Sequence, residues 1–287
     1  MATDGRPRRS VLYMPGSNAR ALEKAKTLAA DSLILDLEDA VAPDAKDEAR
    51  AQVCDAARAG GYGRREVFIR ANGADSPWWI DDLAAISLSG ADGVVVPKVE
   101  DVATVWAARD AISGAAEKMA VWCMVETPKG VLAAAAISDA ADGLVMGTSD
   151  LAKELRAAHK PDREPMLTSL GLCLLAARAA DVPILDGVYL DLEDVDGFAA
   201  ACRQGADLGF DGKTLIHPKQ LDGANAAFAP SAEEVDWSRR IIDAHAEAEA
   251  EGRGIVLVDG QLIENLHVAQ AHRVVAMAEA IAELEAA

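Results

Sequence analysis

The chain has 287 residues, of which 51% are hydrophobic and 26% charged, and a net charge of −19. That length and apolar content suffice for one large core, with an appendage as the economical remainder. The acidity argues against a nucleic-acid or anionic-membrane surface, because phosphate binding needs clustered cations that this chain mostly lacks.

Short apolar runs alternate with Ala-rich stretches of helical period, and each run ends in residues able to do chemistry. Val11–Met14 leads into Pro15-Gly16-Ser17, Leu33–Leu37 into Glu38-Asp39, and Val67–Ile69 into Arg70-Ala71-Asn72. Val94–Val96 leads into Pro97-Lys98, Val121–Val125 into Glu126-Thr127, and Leu144–Met146 into Gly147-Thr148-Ser149-Asp150. Val188–Leu190 runs into Asp191, and Thr214-Leu215-Ile216 into His217. Eight strands alternating with helices close most naturally into a (β/α)₈ TIM barrel of the α/β class, which carries its chemistry at the C-terminal strand ends. The pattern predicts a barrel over residues 1–222 and a C-terminal helical extension over 223–287, a lid that caps its own barrel or, as the first expectation, a neighbouring subunit's.

Ser76-Pro77 and Thr127-Pro128 each pair a capping side chain with proline at a first helical position, Asp44 opens the Asp44–Arg58 helix, and Glu100-Asp101 opens the next. Gly130–Ala141 reads as an Ala-rich helix that neighbours can approach closely. From Leu151 to Pro165 the rhythm breaks: Lys153, Arg156, His159, Lys160 and Arg163 with two prolines predict a long basic loop, the expected anion contact in so acidic a chain. After His217-Pro218 come a helix from Ala232 to Glu251, a short run Ile255–Val258 with Asp259-Gly260 after it, and a last helix from Leu266 to Glu285.

Cys54, Cys123, Cys173 and Cys202 never form a C-x-x-C pair and read as buried, reduced thiols. Met1 to Ser10 contain no apolar signal core, and no run approaches the roughly 20 apolar residues that span a bilayer, so the expected location is cytoplasmic.

Glu126 and Asp150 end adjacent strands, and two carboxylates with open coordination positions suit Mg²⁺, with Mn²⁺ as a substitute. The competing reading has one or both acids capping a helix or pairing with a cation. Arg70 follows a β-branched strand, where a buried guanidinium needs anions beside it; it either clamps a carboxylate or an enolate oxygen, or pairs with Glu38 or Asp39. Asp36 and Glu38 share one face of their strand, so a metal, Arg70 or Lys98 must sit among them. Lys98 is also a candidate Schiff-base lysine, although nearby carboxylates would keep it charged. His217 is a base or a backbone-bonding imidazole. No G-x-S-x-G, H-E-x-x-H or G-x-G-x-x-G motif is present, which removes support for serine hydrolase, zinc protease and dinucleotide readings.

At Arg9–Ser17, Ile34–Val41, Ile69–Asn72, Val96–Lys98, Val125–Gly130, Gly147–Leu151 and Leu215–Pro218 the chain resembles the citrate lyase β-subunit-like family, the acyl-CoA lyase branch of the HpcH/HpaI aldolase superfamily. The resemblance runs in order through the whole barrel. It implies a Mg²⁺-dependent homotrimer or homohexamer acting on a malyl-CoA-like 3-hydroxyacyl-CoA and a glyoxylate-like 2-oxo acid, with no nucleic-acid or membrane partner. By matching motif, Glu126 and Asp150 become metal ligands, Arg70 faces the thioester or enolate oxygen, and Glu38 and Asp39 join the acidic shell. Pro15 and Gly16 line the site, while Arg20 and Lys24 are CoA-binding candidates by charge.

The activity implied first is reversible C–C cleavage to glyoxylate and an acyl-CoA. The alternatives are (3S)-malyl-CoA hydrolysis by a thioesterase and citryl-thioester cleavage by a citrate lyase β subunit. In this family the acid or base of cleavage is an aspartate from a neighbouring subunit's C-terminal segment, but the matching motif here, Leu262-Ile263-Glu264-Asn265-Leu266-His267, carries Glu264 instead. The added methylene displaces the carboxyl, which bears directly on proton transfer.

Overall fold

The structure is a computed structural model that describes residues 5–158, 160–250 and 256–286. His159, Glu251 and Ile255, part of the expectations above, lie outside the described residues, as do residues 1–4 and 287. The chain divides into two compact units, Arg8–Phe228 and a second one containing Ala229–Ala287.

The first unit is a closed barrel of eight parallel strands in sequence order. The strands are β1 (Ser10–Pro15), β2 (Ser32–Asp36), β3 (Glu66–Arg70), β4 (Gly93–Val96), β5 (Ala120–Val125), β6 (Gly143–Met146), β7 (Ile184–Asp186) and β8 (Gly212–Leu215). Around them run α1 (Ala19–Ala25), α2 (Lys46–Ala59), α3 (Trp79–Ile86), α4 (Val102–Ile112), α5 (Pro128–Leu132) and α6 (Ala134–Ala140). α7 (Thr148–Leu155), α8 (Leu167–Ala179), α9 (Val195–Leu208) and α10 (Leu221–Ala227) complete the ring.

Strand residues alternate between two cores. Val11, Ile34, Phe68, Val95, Trp122, Met124, Val145 and Leu185 fill the barrel interior, whereas Leu12, Leu33, Leu35, Ile69, Val94, Val96 and Leu144 join the larger core under the helices. Because the side-chain period of a strand is two, this parity decides which polar residues reach the mouth. Two residues beyond Ile34, Phe68 and Met124 come Asp36, Arg70 and Glu126, all lining one cavity.

Several local expectations change. Val188–Leu190 is not the seventh strand: Ile184-Leu185-Asp186 pairs with β6 and β8, and Val188 and Leu190 follow in the βα loop. The polar end of that strand, Asp186, is paired with Lys213 at 2.8 Å, which permits a carboxylate in a buried strand. Thr127 caps α5 as expected, accepting the Gly130 N–H at 3.0 Å, and Asp101 caps α4. Ser76 does not cap α3, which starts at Trp79 after a turn, and the Gly130–Ala141 stretch is two short helices meeting at Ala133. The basic segment opens as helix α7, and its Arg163 is consumed by an internal ion pair.

The second unit contains α11 (Ala232–Ala250), a hairpin of β9 (Val256–Val258) and β10 (Gln261–Ile263), and α12 (Asn265–Glu285). Asp259 and Gly260 both have positive φ, 48° and 80°, the conformation a two-residue hairpin turn needs. Ile241, Val258, Ile263 and Ala271 form its core. Among the described residues no helix is long and apolar enough to cross a membrane.

Gly212 packs so closely on the chain entering β1 that an added Cβ would overlap the Arg8 carbonyl oxygen. Gly212→Ala is therefore expected to lower the unfolding free energy by about 2–3 kcal/mol in urea denaturation; an unchanged midpoint would contradict this packing.

Candidate active site

The cavity at the C-terminal end of the barrel has a volume of about 410 Å³ and is lined by residues from most of the strand ends, including Tyr13, Pro15, Asp36, Asp39, Arg70, Glu126, Asp150 and Thr214. Its centre is an ion pair. Arg70 Nε and Nη2 donate to the two oxygens of Asp36 at 2.6 and 2.7 Å, a side-by-side bidentate arrangement between adjacent strands. The third nitrogen, Nη1, lies 2.7 Å from Glu38 Oε2 and 3.7 Å from Asp39. The Tyr13 ring lies under the guanidinium, 4.9 Å from its centroid to Cζ.

Burial opposes the Arg70 charge, but Asp36, Tyr13 and Glu38 outweigh it and hold its pKa well above the ordinary value. Asp36 is likewise buried, yet Arg70 and the N–H groups of Glu38 and Ala40 keep its carboxyl below the usual range. Both partners stay ionised. Burial drives the Tyr13 phenol far above its usual pKa, leaving a neutral hydroxyl at the cavity wall.

Lys98 forms the second cationic pole, its Nζ 2.7 Å from Glu38 Oε1 and 3.9 Å from Asp150. Its backbone has φ 52°, and its N–H donates to Glu126 Oε1 at 2.8 Å. Burial pulls the Lys98 pKa down, but the hydrogen bond and charge of Glu38 more than offset this, so the amine stays protonated. A Schiff-base role, which needs a neutral amine, finds no support here.

Glu126 is the perturbed group. Burial, then repulsion from Glu38, pushes its pKa from 4.5 up to about 8, against the partial help of the Lys98 N–H and Arg70. Gly147 packs directly on this carboxyl, where any Cβ would collide with it. Asp150, in the first turn of α7, lines the same cavity. Asp36, Glu38, Asp39, Glu126 and Asp150 together outnumber Arg70 and Lys98, so the mouth is short of positive charge. Glu38 Oε2 is buried without a hydrogen bond despite its ion contact with Arg70. A divalent cation at Glu126 and Asp150 fits that deficit. Among the described residues no group of three or more His, Cys, Asp or Glu side chains forms a ready ligand shell, so water and substrate would complete the coordination.

Of the other candidates, Gly16 approaches β2 closely enough for its N–H to donate to Asp36 O at 2.9 Å, and its carbonyl accepts from Gln52. Arg20 and Lys24 are exposed on α1 and are not among the residues lining the cavity. His217 Nδ1 accepts the Lys219 N–H at 3.0 Å, the structural use of that imidazole. Glu264, in the second unit, is the N-cap of α12 and donates its own N–H to His267 Nδ1 at 2.9 Å.

Two contributors escaped the sequence reading. Tyr13 was available from parity alone, as the inward residue after Val11. Lys46 gave no signal, because its partners are the carbonyls of Leu37 and Glu38, 2.7 and 2.6 Å away, which pin the turn carrying Glu38 and Asp39.

Comparison with known proteins matches residues 9–218 to the HpcH/HpaI aldolase/citrate lyase family. The chain belongs to this family. It is 50% identical over 284 residues to a (3S)-malyl-CoA thioesterase of Cereibacter sphaeroides, covering 98% of each chain. It is 34% identical over 284 residues to the citrate lyase subunit beta of Escherichia coli K12, covering 96% of this chain and 94% of that one. The crystal structure of CitE from Mycobacterium tuberculosis in complex with magnesium, acetoacetate and coenzyme A superposes with a TM-score of 0.75 at 30% identity, covering 94% and 97% of the two chains.

The raised Glu126 pKa has a consequence for the metal-free protein. Between about pH 4.5 and 8 the folded state keeps a proton that the unfolded state has lost, so stability falls as pH rises through that window. Glu126→Gln should flatten this slope in urea melts measured across pH; an identical slope would show that Glu126 is not the titrating group.

Proposed function

We propose that this chain is a Mg²⁺-dependent enzyme that hydrolyses (3S)-malyl-CoA to malate and CoA. The observation that carries the reading is the 50% identity, over 98% of both chains, to a protein with that activity in its name. This reverses the order suggested by the sequence motifs, where C–C cleavage ranked first. The fit of the charge-deficient mouth to a divalent cation, and magnesium with coenzyme A in the CitE relative, support the same reading.

Mg²⁺ held by Glu126 and Asp150 would supply Lewis-acid polarisation and lower the pKa of a coordinated oxygen. The chain's own residues do the rest. Arg70, fixed by Asp36, offers its cationic edge to the thioester oxygen as negative charge develops there. Asp39, exposed on the cavity wall 3.7 Å from Arg70, accepts the proton of the attacking water. The water oxygen bonds to the carbonyl carbon, the C–S bond breaks, and the thiolate leaves to take up a proton. Lys98 and Lys46 keep the Glu38–Asp39 turn in place.

C–C lyase action is the second reading, favoured by the family description and by relatives such as the citrate lyase β subunit. There Arg70 would stabilise an enolate oxygen, and Glu264 of a neighbouring copy would serve as acid or base.

With malyl-CoA and Mg²⁺, free thiol and malate should appear together without glyoxylate. Arg70→Met should lower kcat/KM by roughly 10²–10³-fold. Glyoxylate in amounts matching acetyl-CoA would establish the lyase instead. Glu264→Ala should leave thiol release within about twofold while removing any residual cleavage; a large loss of thiol release would bring Glu264 into the hydrolytic step.

A further inference from the structure

Among the described residues that line the main cavity, Tyr13 is the only aromatic one. It is the inward residue of β1 after Val11, and its ring lies under Arg70, 4.9 Å from centroid to Cζ. Its charged neighbours Asp36 and Glu38 are engaged with Arg70 and Lys98. The Tyr13 hydroxyl, by contrast, makes no hydrogen bond to a described residue, and it is not one of the unpartnered polar atoms sealed from the cavity. Burial keeps the phenol protonated and outweighs the opposing charge of Arg70, while Asp36, Glu126 and Glu38 act in the same direction as burial. A neutral donor with an uncommitted proton therefore opens on the space that substrate would fill.

Arg70 alone makes a poor oxyanion site. Its Nε and Nη2 donate to Asp36, and its Nη1 donates to Met124 Sδ at 3.9 Å and lies 2.7 Å from Glu38 Oε2, so few of its N–H groups are left for substrate. An oxygen that gains negative charge in a water-poor cavity is best held by more than one donor. A further cation would not serve, because the acids at this mouth outnumber Arg70 and Lys98 and would capture it, as Glu38 holds Lys98. A neutral hydroxyl forms no ion pair and stays available. Of the other hydroxyls on the wall, Thr214 donates to the Asp186 carbonyl at 3.2 Å, and Thr148 and Ser149 sit in the first turn of α7 with Asp150. Tyr13 is the one that stacks on Arg70.

We propose that Tyr13 is a catalytic residue: its hydroxyl donates a hydrogen bond to the thioester carbonyl oxygen beside Arg70 as that oxygen becomes negative, and it keeps its proton throughout. The inference rests on the thioester substrate proposed above. It applies to either fate of that substrate, since the same oxygen gains charge whether water adds to the carbonyl carbon or a C–C bond breaks to leave an enolate.

Tyr13→Phe removes the oxygen and leaves the ring under Arg70, so the Arg70–Asp36 pair is not disturbed. With malyl-CoA and Mg²⁺, kcat should fall at least about tenfold while KM stays within about twofold. The urea midpoint of the variant should match that of the wild type, because the hydroxyl has no protein partner to lose. Unchanged kcat would overturn the proposal, and so would a loss confined to KM, which would put the hydroxyl on another part of the ester. The products are read in the same assay: malate with free thiol, or glyoxylate with acetyl-CoA, decides between the two reactions independently of Tyr13. A readout without turnover comes from infrared spectra of the dethia analogue of succinyl-CoA, isotopically labelled at the ketone that replaces the thioester. That probe lacks the hydroxyl that cleavage needs and the sulfur that hydrolysis needs. Its bound carbonyl stretch should lie at higher wavenumber in Tyr13→Phe than in the wild type. This spectrum decides the case where the variant also loses stability or the wild type turns over no malyl-CoA: a shift upholds the proposal, and equal frequencies overturn it.

Discussion

Asp36 and Arg70 grip each other at the tops of neighbouring strands, and the other charged groups at the barrel mouth are placed with respect to that pair. A buried guanidinium without its carboxylate would cost several kcal/mol. With Asp36 in place, Arg70 keeps one nitrogen for Glu38, Glu38 in turn holds Lys98, and the Lys98 backbone holds Glu126. The chain of contacts ends at a carboxyl whose charge nothing in the protein fully offsets. The proposed divalent-cation site rests on that residual deficit.

The arrangement follows from strand parity. Inward residues at the middle of the strands are apolar and fill the barrel, while the next inward residue on β2, on β3 and after β5 is Asp36, Arg70 or Glu126. The same rule sends Asp186 and Lys213 outward, where they meet Arg163 rather than substrate. On the proposed function, the choice between hydrolysis and C–C cleavage turns on which acid serves as the base, Asp39 on the cavity wall or Glu264 of a neighbouring copy.

Much of this was legible in the sequence, because apolar runs that end in acids, an Arg or a Lys mark strand ends directly. The eightfold alternation, the placement of Glu126, Asp150, Arg70 and Asp39 on one cavity, and the capping by Thr127 all follow from local pattern. The seventh strand was not legible, since its core run is three residues long and ends in Asp186, while the more apolar Val188–Leu190 beside it is loop. The basic segment misled for a related reason: Arg163 looks available to an anion until Asp186, 23 residues later, comes to lie against it. Lys46 is invisible at the level of side-chain chemistry, because carbonyl oxygens carry no residue label.

On the proposed function, Glu126 carries a proton near neutrality until a divalent cation takes its place. Titrating the metal-free protein with Mg²⁺ at pH 7 in buffers of different ionisation enthalpy measures the protons released on binding. With a Glu126 pKa of about 8, release should approach one proton per ion in the wild type and vanish in Glu126→Gln. Equal release from both proteins, or none from the wild type, would show that Glu126 does not exchange a proton for the cation.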